Sequence, residues 1–265
     1  MYKLLLCSEK DTASVNIRDA LLGARKWEHD GKFLYYDDLV LMSIPDMHIH
    51  AEGIDRDAID SGISVKEMIF LSKHKAASRI PTLTVHPIGN FNSAELGGKD
   101  KTLVKASPAT MTDLLRSLFA KDRGHFQASF EVTHHGPFVD VPATFAEIGS
   151  DESQWSDKHA AGIIADSILD IRDNDYEVAV GIGGGHYAPR FTEVATEHKI
   201  NFGHMIPEYA FKDASDSDLI RMIRDSAKES GTDLVYVHKK SVKGEVFRRI
   251  VTAVDSCDLE RITVS

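Results

Sequence analysis

Short continuous apolar runs alternate along this chain with stretches in which apolar residues recur every three to four positions. Segment 3–7, Lys3-Leu4-Leu5-Leu6-Cys7, has strand length and predicts a buried first strand. Ser8 to Asp11 supply N-cap chemistry ahead of a helix carrying Val15, Ile17, Ala20, Leu21 and Leu22. Segments 32–36 and 39–44, joined by Asp37-Asp38, predict a hairpin. Further strands are expected at 68–71, 83–85, 128–133, 176–182, 234–237 and 261–264. Helical spacing marks 111–121, through Met111, Leu114, Leu115, Leu118 and Phe119, and 155–171 as the longest amphipathic helix. Two more helices are expected near 216–227 and 244–254.

Strands separated by helical patterns favour an α/β sandwich around a largely parallel central sheet. No repeat or low-complexity linker divides the 265 residues, so 1–265 reads as a single domain. In such folds the site gathers in loops beyond the carboxyl ends of the strands. The unusual residues fall at those junctions: Ser72-Lys73-His74, 86–90 (HPIGN), 133–137 (THHGP) and 183–187 (GGGHY).

Composition narrows the chemistry. Hydrophobic residues at 42% and charged residues at 27% exclude disorder, and no apolar run reaches the roughly 18 residues of a membrane span. The N-terminal run is too short for a signal peptide. Cys7 and Cys257 form neither a disulfide framework nor a metal knuckle, which fits a reducing cytoplasm. A net charge of −10 argues against coating duplex DNA or RNA but permits recognition of one nucleic-acid end by a local patch. Thirteen histidines, mostly among Gly, Pro and Glu, point to a metal or acid–base site.

Glu131-Val132-Thr133-His134-His135-Gly136-Pro137 is the leading motif. If the strand persists, alternation puts Glu131, Thr133 and His135 on one face and His134 on the other. Gly136-Pro137 would break the strand and could swing His134 round as well. The run 181–186 (GIGGGH) fails as a dinucleotide fingerprint because His186 takes the place of the third glycine. It remains a strand entering Gly183, Gly184 and Gly185, whose N–H groups could meet an anion, with His186 and Tyr187 at the mouth. His74, His86 and His204 each follow an apolar or glycine-bearing strand end, and Glu147 joins Glu131 near such ends. His48 and His50 lie in an acidic, loop-like stretch and are expected on a solvated surface. His29, His125, His159, His198 and His238 lie in polar surroundings and are expected to be ordinary surface side chains. The sequence has no HExxH, so any zinc site is assembled from distant loops. It has no GxSxG serine elbow, and neither cysteine looks activated.

Together with Gly97-Gly98-Lys99-Asp100, 147–150 (EIGS) and Trp155, these segments resemble the archaeal and plant type of D-aminoacyl-tRNA deacylase in order and spacing across nearly the whole chain. Residue 75 departs from that pattern, since Lys75 stands where a hydroxyl residue is expected after His74. The histidines at 48 and 50 fall outside it. The resemblance implies hydrolysis of the ester joining a D-amino acid to tRNA, two zinc ions per subunit, and a three-layer α/β/α sandwich of phosphorylase/hydrolase type with a mixed, mostly parallel sheet.

The expected site then has His74, His86, His134, His135 and His204 as metal ligands, and Glu131, Glu147 and His186 as catalytic residues. Lys99, Gly183, Gly184, Gly185 and Tyr187 are expected to bind substrate. Zinc would activate water, with Glu131 or Glu147 taking its proton. A zinc exopeptidase or amidase on the same fold, or a non-catalytic RNA-end binder, are the alternatives. The expected partner is the acceptor end of D-aminoacyl-tRNA, not DNA or membrane, and the protein is a monomer or dimer. The expected contact patch is Lys73, Lys75, Arg79, Lys99, Lys101 and Lys105. A second basic run, Lys239, Lys240, Lys243, Arg248 and Arg249, reads as a solvated face.

Overall fold

The computed structural model describes residues 1–242 and 244–265, so the expectation for Lys243 lies outside the described residues. Its strands are β1 (Tyr2–Ser8), β2 (Glu28–Asp30), β3 (Phe33–Tyr36), β4 (Leu39–Ile44), β5 (Val65–Lys73), β6 (Thr82–Pro87), β7 (Gly89–Asn90), β8 (Thr102–Leu103), β9 (Gln127–Phe130), β10 (Ala143–Gly149), β11 (Glu177–Ile182), β12 (Ile200–Ile206), β13 (Leu234–His238) and β14 (Glu260–Val264). The α-helices are α1 (Thr12–Ala24), α2 (Ile54–Asp60), α3 (Pro108–Lys121), α4 (Glu152–Trp155), α5 (Lys158–Leu169), α6 (Pro189–Glu197), α7 (Glu208–Phe211), α8 (Asp216–Ser230) and α9 (Gly244–Asp255).

The central sheet runs β2-β3-β4-β1-β5-β10-β6-β9. Strands β4, β1, β5 and β10 are parallel neighbours, β10/β6 is antiparallel and β6/β9 parallel. The sheet is therefore mixed and mostly parallel, flanked by helices. The hairpin of β3 and β4 forms as the alternation predicts.

Three expectations need correction. The later strands do not join the central sheet; β12-β11-β13-β14 make a second, wholly parallel sheet. Segment 155–171 is not one helix: Trp155 ends α4, and Asp157 accepts the N–H groups of His159 and Ala160 and starts α5 afresh. Among the described residues the longest helix is α8, 15 residues, stopped by Gly231 in the left-handed conformation (φ 68°).

Alternation along the central strands separates two faces. Leu5, Cys7, Ile69, Leu71, Leu83, Val85, Ala146 and Ile148 point toward α1, α3 and α5. Leu4, Leu6, Val40, Met42, Met68, Phe70 and Phe145 point the other way, beneath α2 and residues Ile88, Val104 and Val139. Burying a side chain such as Phe70 or Phe145 contributes about 1.5–3 kcal/mol. Beside and beyond Phe145 on this second face, the polar side chains of His86 and Glu147 replace apolar ones. No described helix is long and apolar enough to cross a membrane.

Candidate active site

Register decides what gathers on the second face. His86 on β6 lies opposite Phe145 on β10, and Glu147 lies between Ser72 on β5 and Thr84 on β6. Directly paired residues share a face, so His86 and Glu147 continue the row of Phe70 and Phe145. The Glu131 N–H donates to the Val85 carbonyl at 3.0 Å, extending the β9 ladder by one residue and adding Glu131 to that face.

The chain then leaves the sheet. The Val132 N–H donates to His186 O and the Thr133 N–H to Met205 O, both at 3.0 Å, and His135 takes a positive φ of 42°. Gly136 lets the Gly97-Gly98 backbone press against the chain here, since a Cβ on it would stand 2.1 Å from the Gly98 nitrogen. His134 and His135 therefore both swing to the Glu131 cluster. Thr133 does not stay with them: its hydroxyl lies 3.0 Å from His204 Nδ1, against β12. Strict alternation through 135 fails because the strand ends four residues early.

Glu131 is fully enclosed among imidazoles. Its Oε2 lies 2.7 Å from His186 Nε2 and 3.5 Å from His134 Nε2, and its Oε1 3.1 Å from His74 Nδ1. Glu147 lies 3.6 Å from His74 Nδ1 and 3.8 Å from His86 Nε2. Ligand atoms of three overlapping groups fall within 4.8 Å of one another: His86-His134-His135, His74-Glu131-His186 and His86-Glu131-Glu147.

Tautomers follow from the neighbours. Nδ1 of His86, His134 and His135 lies 3.1, 2.8 and 2.6 Å from the carbonyls of Pro87, Val132 and Gly136. A carbonyl only accepts, so each Nδ1 carries the proton and each Nε2 presents a lone pair, the form in which imidazole ligates metals. Buried His86 Nε2 and both oxygens of Glu131 lack a hydrogen bond of good geometry despite the short distances. Donors converge there without satisfying one another.

Electrostatics agree with a site that demands positive charge. Burial raises the carboxyl of Glu131, but His186 and His74 overcome it and hold the group well below its ordinary range. Burial is likewise outweighed at Glu147, which His74 and His86 hold ionised. Between these two carboxylates His74 is pushed up to about 11 against its own desolvation. Burial, then the neighbouring His86, lowers His135 to about 4. Burial, His86 and His135 likewise depress His134. Burial opposes a proton on His86, but Glu147 and Glu131 raise this group as well. The two enclosed carboxylates thus hold protons on His74 and His86 that a bound cation would replace, while His134 and His135 stay neutral.

Other expected residues divide. Tyr187 joins the site, its hydroxyl 2.9 Å from His74 Nε2. His204 does not: it is buried in β12 with Nδ1 on Thr133 Oγ1 and Nε2 2.9 Å from Val104 O, so both ring nitrogens are occupied. The Gly183 N–H donates to Ile206 O and the Gly184 N–H to Ser241 Oγ, which removes two of the three expected anion donors. Gly185 is exposed at the mouth. Lys99 Nζ sits 3.6 Å above the Phe138 ring, and Lys101 pairs with Asp218 at 3.1 Å.

Lys73 and Lys75 line the cavity over the site, and Lys75 and Arg79 line its outer continuation. His48 corrects the surface reading. It is fully buried in the short 3-10 turn His48–His50, with Nε2 2.9 Å from Leu71 O, whereas His50 is exposed. A histidine in an acidic loop carried no sequence signal of burial.

The model of a family described as D-aminoacyl-tRNA deacylase matches residues 61–262. A protein of that name from Methanosarcina mazei is 36% identical over 267 residues, covering 93% of this chain and 86% of the relative. Another, from Thermococcus kodakarensis, is 37% identical over 274 residues, covering 98% and 99%. A crystal structure described as a conserved protein of unknown function superposes with a TM-score of 0.89 at 34% identity, covering 99% of this chain and 95% of that one.

Proposed function

The chain belongs to the D-aminoacyl-tRNA deacylase family, and on that premise we propose that it hydrolyses the ester between a D-amino acid and tRNA at a two-zinc centre. The observation that carries the metal reading is the set of bare Nε2 atoms on His86, His134 and His135 facing two enclosed carboxylates. His86, His134 and His135 would hold one ion; His74, Glu131 and Glu147 would hold the other. His204 is left out because its ring nitrogens are already bonded. When bound, zinc lowers the pKa of water toward about 7 and polarises a carbonyl.

The protein's own groups supply the rest. The His186 side chain is 38% exposed while Glu131 is enclosed, and 2.7 Å separates Nε2 from Oε2. His186 therefore meets water at the mouth, takes its proton, and shares it with Glu131. The water oxygen bonds to the acyl carbon, the ester C–O bond breaks, and the proton passes to the departing ribose oxygen. Tyr187, tied to His74, stands beside that path and orients the acyl group.

The test incubates D-tyrosyl-tRNA, L-tyrosyl-tRNA and a peptide panel with metal-replete protein. Release of D-tyrosine with little release of L-tyrosine is expected. Peptide cleavage without ester release would support an exopeptidase instead, and binding without turnover an RNA-end binder.

A further inference from the structure

Two cavities of opposite character meet at His134 and His135. The first, about 300 Å³, is lined by Asp11, Lys73, His74, Lys75, Glu147 and His186. The second, about 230 Å³, is lined by Phe91, Ser93, Glu95, Leu96, Thr133 and Tyr209. His134, His135 and Leu96 border both, so the reacting centre lies on the partition.

The first cavity leads outward past cations. Lys75 also lines an open cavity of about 850 Å³ with Arg79 and Trp155. Asp151 and Glu152 lie there too; Asp151 caps α4, accepting the Ser153 N–H, and stands 4.0 Å from Arg79 Nε, which leaves Lys75, among the described residues, as the cation in that cavity without an ion pair. Lys73 Nζ rests 5.0 Å above the Trp155 ring, and the Trp155 indole N–H donates to His74 O at 2.9 Å. The cations and the site are thus fixed to one another. Among the described residues no Lys or Arg lines the second cavity, whose carboxylate lining residue is Glu95. Its rim carries Leu96 and Tyr209, 57% and 56% exposed. Leu96 and Tyr209 thus place open apolar surface beside the reacting centre, available to an apolar part of a ligand.

An aminoacyl ester has two unlike halves that leave the reacting carbonyl in different directions. One is a polyanionic strand; the other is an uncharged side chain with an amine. Cations attract the strand, while Glu95 repels phosphate and tolerates the amine. Resting on the deacylase reading above, we propose that the acceptor strand enters past Lys73, Lys75 and Arg79. The amino-acid side chain occupies the opposite chamber, where Phe91, Leu96 and Tyr209 favour large apolar side chains.

The experiment measures kcat/KM on D-tyrosyl-tRNA and D-alanyl-tRNA for the wild type and for Leu96→Ala, Tyr209→Ala, Ser93→Phe and Lys75→Ala. Leu96→Ala and Tyr209→Ala should each lower the tyrosyl-to-alanyl ratio about tenfold, the scale of one lost apolar contact set. Ser93→Phe, which fills the chamber from an exposed position, should lower that ratio further. Lys75→Ala should weaken both substrates together and reduce the salt slope by about one. An active wild type whose ratio moves with Lys75 but not with Leu96, Tyr209 or Ser93 would reverse the two chambers and overturn the proposal. A wild type inactive on both esters would instead overturn the deacylase reading on which it rests.

Discussion

Phe145 lies face to face with His86, ring centroids 4.9 Å apart and planes 4° apart. Phe70 stacks beneath Phe145 at 4.8 Å, and His48 and His135 meet its edges at 5.5 and 4.9 Å. A stack rooted in the apolar core thus sets the orientation of two proposed ligands. A site built on such rigid packing is held more closely than one on free loops.

Replacing that plate should loosen the ligands more than the fold. Phe145→Leu is expected to cost about 1–2 kcal/mol of stability. It should also weaken zinc retention about tenfold, the lower end for support residues around a metal. Thermal unfolding and competition against a chromophoric chelator measure the two effects. Unchanged zinc affinity would show that the stack orients nothing.

His204 should behave as a core residue. Burial lowers it to about 4 from an ordinary 6.5, so the unfolded chain binds the proton more readily between those values. Stability is then full above about pH 6.5 and falls as pH drops toward 4, by up to about 3 kcal/mol in order of magnitude. His204→Asn should flatten that part of the pH–stability curve and leave the zinc content per chain as in the wild type. Loss of metal in this variant would return His204 to the ligand set.

Trp155 connects the outer cavity to the site through its indole N–H on His74 O. Trp155→Phe keeps an aromatic ring under Lys73 but deletes the donor. The carbonyl left behind is buried, and an unmet buried acceptor costs about 1–3 kcal/mol. Deacylation should fall about tenfold, with kcat more affected than KM, because His74 shifts rather than the tRNA contact. A change confined to KM would place Trp155 in tRNA binding alone.

Salt dependence should be shallow. The chain carries a net charge of −10; of the six expected patch residues Lys101 pairs with Asp218, Arg79 stands 4.0 Å from Asp151, and Lys73 and Lys99 rest over the rings of Trp155 and Phe138. Lys73, Lys75 and Arg79 remain on the path, so log kcat/KM against log salt should have a slope magnitude of about 2 to 4. A value near 10 would mean that the protein grips the body of the tRNA by another surface.

Much of this was legible in the sequence, for physical reasons that differ by residue. His74, His86, His134, His135 and His186 sit where apolar runs end, and strand ends are where an α/β fold gathers chemistry. Glu147 was found without its strand. Segment 143–149, ATFAEIG, alternates small residues with an acid on the site face, so β10 lacks the continuous apolar signature of β5. His204 misled because a histidine after glycine looks like a strand end, whereas β12 runs on to Ile206. His48 was invisible because only the packing of a turn against Leu71 buries it. The separate second sheet depends on pairings between distant segments, which alternation along one segment does not encode.

Whether the histidine–carboxylate cluster works as a metal centre is decided by metal content measured together with turnover. Purified protein is analysed for zinc and assayed on D-tyrosyl-tRNA before chelation, after chelation and after zinc is restored, alongside His134→Ala and His135→Ala. About two zinc ions per chain, activity abolished by chelation and regained with zinc, and folded variants that lose both metal and turnover are the predicted results. Fully active protein carrying no metal would contradict the account.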